Sequence, residues 1–341
     1  MKKFILAAGL LLVSQVITPI AVAADDAVVN IYSYRQPFLI DPILDTFTKE
    51  TGIKTKVVFA KKGLLERLKR EGKFSPADVV LTSDFSRLLL LADNQLTQPF
   101  QSDTIDTNVP DAFRDPADHW IALTKRVRNI YSSKDRLGDL SQVSYEDLAL
   151  DQYKGKICTR SGKHPYNIAL VSSMIAHHGA AQTKDWLLKV KDNLARKPQG
   201  NDRAQVKAIK EGLCDVALGN SYYFGKMMQD EKQKSWAQAV NINFPNQQDR
   251  GSHINVSGVV MAKHAPHKAN ALALINYLTS DDAQQLYASL NMEYPVKPGV
   301  KLDQLVASWG EFKEDSVAIA KVAGFRKVAL ALLDETRFDL K

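Results

Sequence analysis

The chain has 341 residues, a formal net charge of +7 and only two cysteines. That length is more than one hydrophobic core normally serves, so we expect two lobes. Basic residues lie beside acidic ones along predicted helices, as in residues 61–71, and form no block interleaved with aromatic residues, which argues against nucleic acid as a partner.

The first 23 residues are predicted to be a secretory signal peptide. Lys2 and Lys3 precede an apolar run, and residues 21–23 (Ala-Val-Ala) supply the small residues of a cleavage site. No later segment approaches the roughly 20 apolar residues needed to span a bilayer. We therefore expect an exported, periplasmic protein that is not embedded in a membrane. Loss of the two lysines leaves a net charge of +5.

Strands and helices alternate along the exported chain, which is typical of mainly parallel sheets covered on both faces. The predicted strands are residues 28–32, 53–59, 77–82, 120–132, 157–159, 215–218 and 255–261. The predicted helices are residues 41–51, 63–70, 85–92, 167–179, 183–193, 202–211, 226–233, 268–279 and 281–290.

Two of the predicted strands are long enough to pass from one lobe to another. They indicate an α/β fold of the two-lobed periplasmic-binding-protein type (class II), with discontinuous lobes and a hinge cleft that closes around a ligand. We place lobe 1 in residues 24–126 and 256–300 and lobe 2 in residues 127–255. A C-terminal helical segment, residues 301–341, is expected to pack on lobe 2.

Tyr222 and Tyr223 follow Gly219-Asn220-Ser221, where a predicted strand gives way to a predicted helix. Ligands of open α/β sheets bind just outside the carboxyl ends of strands. A helix N-terminus also favours an anion such as a phenolate. Taken alone, such a pair is more often two packed aromatic rings with their hydroxyls in water.

Six segments resemble, in the same order, the periplasmic ferric-ion-binding proteins, and the resemblance covers essentially the whole exported chain. They are residues 28–36, 77–82, 123–128, 160–167, 195–200 and 219–223. The adjacent tyrosines, together with Tyr166 after Arg160-Ser161-Gly162, are the most specific of them. The resemblance implies an iron-transport protein that captures Fe(III) and delivers it to an inner-membrane ABC permease. We expect it to be a monomer.

The resemblance further implies that Tyr166, Tyr222 and Tyr223 are phenolate ligands of the ferric ion. Fe(III) is a hard ion that prefers anionic oxygen. Some members of the family add a His-Tyr pair after the first strand, where this chain has Gln36 and Pro37. We therefore expect three tyrosines plus an exogenous anion, with carbonate the favoured candidate.

Arginines close to the predicted ligands are candidates for holding that anion. Arg126 and Arg128 lie on the same side of the long predicted strand, because side chains repeat every two residues. An arginine fork suits a small oxyanion. We favour Arg126, with Ser161 and Arg35 as further candidates. Any one of the arginines could instead belong to a structural ion pair.

The two cysteines, Cys158 and Cys214, lie in the exported part of the chain and are predicted to form one disulfide. Two free buried thiols are the alternative. His164 is a weak further ligand candidate, Tyr34 is expected to line the cleft, and Asp84 to cap a helix or line the cleft wall.

An enzymatic function is not expected, because neither Gly-x-Ser-x-Gly nor His-Glu-x-x-His occurs in the sequence. The alternative to ferric iron is another small ligand, an organic cation or an oxyanion, bound by the same two-lobed fold. A broad aromatic box would favour an organic cation, whereas tyrosines converging on one point favour the metal.

Overall fold

A computed structural model describes residues 27–138 and 140–341, so the predicted signal peptide lies outside the described residues. The strands are β1 Val28–Ser33, β2 Lys54–Phe59, β3 Val79–Thr82, β4 Thr97–Gln98, β5 Ile121–Ser133, β6 Ile157–Cys158, β7 Val216–Asn220, β8 Val240–Asn243, β9 Ile254–Ala262 and β10 Tyr294–Pro295. The helices are α1 Pro37–Thr51, α2 Leu64–Glu71, α3 Phe85–Asp93, α4 Asp103–Asn108, α5 Pro165–Asn193, α6 Asp202–Lys210, α7 Ser221–Met228, α8 Lys234–Gln238, α9 Lys268–Leu278, α10 Asp281–Asn291, α11 Gln304–Ala307, α12 Ile319–Gly324 and α13 Arg326–Glu335.

Every strand and helix predicted from the sequence is present, with its ends shifted by a few residues. Helix α1 begins earlier than predicted, because Pro37 at its start has no N–H to leave unsatisfied. It ends as predicted at Gly52, whose left-handed backbone (φ 73°) caps the helix. The two helices predicted at 167–179 and 183–193 form α5, which is interrupted at Gly179 by a non-helical backbone (φ 76°, ψ 170°).

The long strand β5 is shared between two sheets. Its first part, up to Val127, pairs with β9, and its second part, from Arg128 to Ser133, pairs with β7 and β8. Strands β2, β1, β3 and β9 follow one another on one side of β5, and β7 and β6 on the other. In contrast to β5, the second long strand β9 pairs with β3, β4 and the first part of β5. The chain has therefore already returned to the first sheet when β9 begins.

Each of the two sheets is covered by helices and has its own apolar core. The first core includes Ile31, Val80, Leu88 and Leu274. The second includes residues of β5, β7, α5 and α13, among them Ile130, Leu170, Leu218 and Leu333. This mixed α/β architecture confirms the predicted two-lobed binding-protein fold, while the residue boundaries of the lobes remain a prediction. Within the described residues, no helix combines the length and apolar character needed to cross a membrane.

Candidate metal centre

Two neighbouring parallel strands of the second sheet carry the three tyrosines at their carboxyl ends. Strand β6 pairs in parallel with β7, so both strands end at the same edge of the sheet. Tyr166 is the second residue of α5, and Tyr222 and Tyr223 are the second and third residues of α7. The strand-to-helix placement that the sequence predicted for the adjacent tyrosines is therefore present. It brings both tyrosine-bearing turns together although they are 56 residues apart.

The three phenol side chains meet in a cavity of about 540 Å³ that is lined from both lobes. The hydroxyl oxygens of Tyr166 and Tyr222 are 3.4 Å apart. The rings of Tyr222 and Tyr223 stack with their centroids 4.2 Å apart, at an angle of 30°. Adjacent side chains of a regular helix diverge by about 100°. The stacked rings show that the first turn of α7 nevertheless directs both tyrosines to one place.

The surroundings of Tyr222 and Tyr223 favour their protonated forms in the absence of a cation. Burial raises the pKa of Tyr222 well above its usual value, with further contributions from Tyr166 and Tyr223, whereas Arg126 acts in the opposite direction. Burial is also the main cause of the raised pKa of Tyr223. A cation bound by these oxygens must therefore displace protons from them.

Arg126 contributes buried, unsatisfied donors next to the phenols. Its side chain is 1% exposed, and its guanidinium carbon lies 5.7 Å from the centroid of the Tyr166 ring. Nη2 donates to the carbonyl oxygens of Ser83 and Val256, but Nε and Nη1 find no hydrogen-bond acceptor among the described residues. Buried donors are normally satisfied. An anion beside Tyr166 is therefore a suitable partner for this arginine.

Arg35 also lines the cavity, but its guanidinium is already paired. Nη2 donates to Oε2 of Glu293 at 2.8 Å, and Nη1 donates to Oε1 at 3.5 Å. Burial, the largest single influence, lowers the pKa of Arg35, but the Glu293 carboxylate together with Tyr287 and Tyr222 raises it, and the net pKa is raised. Ser161 is not among the residues that line the cavity. Its hydroxyl donates instead to Oδ2 of Asp339 at 2.5 Å.

Arg128 forms the structural ion pair that the sequence left open as an alternative. Its Nη1 donates to Asp202 at 2.7 Å, and its Nη2 donates to Asn167 at 2.6 Å, with the side chain 2% exposed. Asp202 also accepts from Nη1 of Arg160 at 3.0 Å. Arg126 and Arg128 share one side of β5, yet only Arg126 lines the cavity.

Three cavity-lining arginines, Arg87, Arg160 and Arg203, were missed by the sequence reasoning. The guanidinium carbon of Arg160 lies 5.2 Å from the Tyr166 ring centroid, and that of Arg203 lies 5.6 Å from the Tyr223 ring centroid. Arg160 immediately follows a predicted strand, and because ligands bind just outside the carboxyl ends of strands, this position could have identified it as a site residue. Arg203 lies in the first turn of α6, and its approach to Tyr223 depends on how α6 packs beside α7, which no local pattern reveals.

The other polar candidates have structural roles. His164 caps α5, because its Nδ1 accepts from the backbone N–H of Tyr166 at 3.3 Å. Burial is the main cause, and the charge of Arg160 the second, of the lowered His164 pKa of about 3. Asp84 caps the N-terminus of α3, which is one of the two roles predicted for it from the sequence. The Tyr34 hydroxyl accepts from the backbone N–H of Leu65 at 3.0 Å. In the part of the chain that the structure describes, no cluster of three or more His, Cys, Asp or Glu could hold a metal ion.

The predicted disulfide is confirmed. Cys158 and Cys214 are bonded, with their Cα atoms 5.9 Å apart, and both residues are buried. Cys158 is the last residue of β6, and Cys214 precedes β7 by two residues. The bond thus ties together the two strands that carry the tyrosine-bearing turns.

Two α/β lobes that share a strand and enclose a polar cleft define a ligand-binding protein of the two-lobed class. The chain belongs to the family of bacterial extracellular solute-binding proteins, which residues 57–310 match. It is 41% identical over 310 residues to iron uptake protein A1 of Synechocystis sp., covering 90% of this chain and 86% of that protein. Its relatives are binding and uptake proteins, and it is not an enzyme.

Solved structures agree with this membership. The crystal structure of apo ferric ion-binding protein A from Pasteurella haemolytica superimposes with a TM-score of 0.89 at 54% identity, covering 92% of this chain and 98% of that one. A Trichodesmium protein solved in complex with iron and citrate ligands superimposes with a TM-score of 0.86 at 37% identity, covering 91% of this chain and 99% of that one.

Proposed function

We propose that this protein captures ferric iron in its cleft through the phenolate oxygens of Tyr166, Tyr222 and Tyr223 and delivers it to an inner-membrane ABC permease. The observation that carries the proposal is the meeting of three phenols at the ends of two neighbouring strands. The ferric-ion-binding and iron-uptake proteins to which the chain is similar support the same cargo.

The chemistry of the three phenols suits Fe(III) better than softer or divalent ions. Hard cations prefer anionic oxygen ligands, and three phenolates balance the three charges of the ion. Because the pKa values of Tyr222 and Tyr223 are raised, only a cation of high charge density competes effectively with the phenolic protons. The metal is therefore held most tightly at neutral or higher pH.

The cleft also argues against an organic cation as the ligand. The cavity is lined by one carboxylate, Glu293, among the described residues. Seven cationic side chains line it as well: Arg35, Lys61, Arg87, Arg126, Arg160, Arg203 and Lys226. This excess of positive charge repels a cation that brings no anion with it. It favours an oxyanion, either bound with the ferric ion or, as the alternative function, bound alone.

A small oxyanion, with carbonate as the first candidate, completes the iron shell on this proposal and is held by Arg126. Its unpartnered Nε and Nη1 supply the donors. Arg126→Ala should weaken iron binding and shift the phenolate-to-iron absorption band although no metal ligand is removed. To test this, the wild-type protein and the Arg126→Ala variant are stripped of bicarbonate, loaded with iron and then titrated with bicarbonate. Identical responses would mean that Arg126 is only structural. Citrate, which a relative carries with iron, serves as the second anion in the titration.

The family and the predicted signal peptide support a periplasmic location, and we propose that the protein acts there as a monomer. Size-exclusion chromatography of the iron-loaded protein tests the oligomeric state.

The visible spectrum and metal content of protein purified from the periplasm test the cargo itself. Phenolate-to-ferric charge transfer should colour the protein yellow to red, with one iron per chain. Protein that stays colourless and iron-free after exposure to a ferric salt with bicarbonate would contradict the proposal. Oxyanion binding without iron in the same protein would favour the alternative function.

A further inference from the structure

Glu293 is an acid in an otherwise basic cleft. It follows α10 directly after Met292, whose left-handed backbone (φ 58°) turns the chain into β10. Strand β10 pairs with β5 beside Thr124 and Lys125, so this turn places residue 293 against the strand that carries Arg126. The Glu293 residue is 3% exposed and lines the cavity that contains the three tyrosines.

Both oxygens of the Glu293 carboxylate face donors from the first lobe. Oε2 accepts from Nη2 of Arg35 at 2.8 Å and from the Thr124 hydroxyl at 3.0 Å. Oε1 faces Nη1 of Arg35 at 3.5 Å and Nη1 of Arg126 at 3.7 Å. One carboxylate thus lies between two buried guanidinium groups. The three side chains together carry a single net positive charge.

The two arginines are not equivalent in this arrangement. Arg35 directs both terminal nitrogens at Glu293 within hydrogen-bonding distance, whereas Arg126 makes only the longer 3.7 Å contact and leaves Nη1 without a hydrogen bond. The carboxylate therefore neutralises Arg35 and leaves Arg126 with capacity for an external anion. An internal carboxylate at this place also repels any external anion that binds to Arg126.

We propose that Glu293 is a positioning residue that limits the charge of the anion accepted next to the iron. By pairing with Arg35 it keeps the local charge at +1, so the site takes a small singly charged oxyanion, such as bicarbonate, in preference to a doubly charged one, such as hydrogen phosphate. This inference rests on the proposed ferric function. Nη1 of Arg126 is 3.7 Å from Oε1 of Glu293, so an anion bound to this nitrogen lies within about 6 Å of the carboxylate. At an effective permittivity of about 20, a unit charge at about 6 Å changes anion affinity by roughly 100-fold.

Glu293→Gln separates the charge of this side chain from its shape. Glutamine keeps an acceptor oxygen for Arg35, so the orientation of the arginine is retained while the negative charge is removed. We expect the bicarbonate concentration for half-maximal shift of the iron absorption band to fall by roughly 100-fold. Phosphate should gain more than bicarbonate, because it carries more charge. A merely structural role would instead weaken the response to both anions.

Two further variants, Arg35→Gln and the double variant with both Arg35→Gln and Glu293→Gln, complete a double-mutant cycle. Arg35→Gln leaves Glu293 unneutralised beside Arg126 and should raise the bicarbonate requirement. The double variant restores the local charge and should move the response back toward that of the wild type. If Glu293→Gln does not fold, these two variants still decide the question. Glu314→Gln is the matched control, since Glu314 pairs with Lys125 and does not line the cavity.

The outcomes separate this inference from the function on which it rests. A wild type with a ferric band and a bicarbonate response, combined with an unchanged or weaker response in Glu293→Gln, would overturn the role of Glu293 alone. A double variant no closer to the wild type than either single variant would do the same. A wild type that shows no ferric band would overturn the proposed function, and the inference with it.

Discussion

Tyr222→Phe should remove one iron ligand while leaving the protein folded. The substitution deletes only the hydroxyl, and the ring keeps its place in an apolar cluster with Val127 and Met292. The hydrogen bond that is lost, to the Tyr166 hydroxyl, is long at 3.4 Å. The free energy of unfolding of the iron-free protein should therefore change by no more than about 1 kcal/mol.

The effect on iron should be far larger than the effect on folding. Loss of a residue that merely supports a metal ligand lowers metal affinity by about 10- to 100-fold, so loss of the ligand oxygen itself should exceed about 100-fold. The pH dependence should change as well. Three displaced phenolic protons make the logarithm of the affinity rise by about three per pH unit, and two displaced protons by about two.

Competition with a chelator at several pH values, followed by the visible band, measures both quantities. Tyr34→Phe is the matched control, because Tyr34 lines the same cavity but its hydroxyl accepts from the backbone of Leu65. It should bind iron as the wild type does. A Tyr222→Phe protein with the affinity, band position and pH slope of the wild type would refute tyrosinate ligation at this residue.

Acidification should release the iron, because added protons compete for the phenolate oxygens; a band that stays constant down to the onset of unfolding would contradict this. Replacing Cys158 and Cys214 with serine should lower the free energy of unfolding by about 4 kcal/mol, from the 56-residue separation that the bond closes. Iron binding should survive, as spectra of the folded variant would show. Gly219→Ala should destabilise the second lobe by about 1–3 kcal/mol or more. Its Cβ would lie 2.3 Å from a ring carbon of the buried Tyr131, and chemical unfolding measures the loss.

The elements that the sequence predicted well are those with a local signal. The alternation of β5, the glycine after α1 and the strand-to-helix turn before Tyr222 all depend on neighbours within a few residues. The short strands β4, β8 and β10 were not predicted, because two to four residues are too few to show a period. Helices α11 to α13 were covered only by the general expectation of a helical C-terminal segment.

The parts of the site that the sequence did not predict depend on distant partners. The two-residue spacing of Arg126 and Arg128 correctly predicted that they share one side of β5. Their roles differ because of distant hydrogen-bond partners. Arg126 donates to the backbone of Ser83 and Val256, whereas Arg128 donates to the carboxylate of Asp202. The Arg35–Glu293 pair joins residues 258 positions apart in the chain.

Ser161 shows the same limit. Ser161 is close to Tyr166 in the sequence, yet its hydroxyl donates to the carboxylate of Asp339, 178 residues further along the chain. A pattern along the chain gives the direction of a side chain, whereas its partner is decided by packing.

All three tyrosines come from one lobe, on two strands that the disulfide ties together. On the proposed assignment, spreading the lobes exposes the ion to water without detaching a single protein oxygen. Mechanical opening by a transporter would therefore not unload this carrier. Unloading requires a chemical event at the phenolates, either protonation or capture of the ion by competing oxygen donors. If the iron is delivered to an inner-membrane ABC permease as proposed, the permease or a partner acting before it must supply that event.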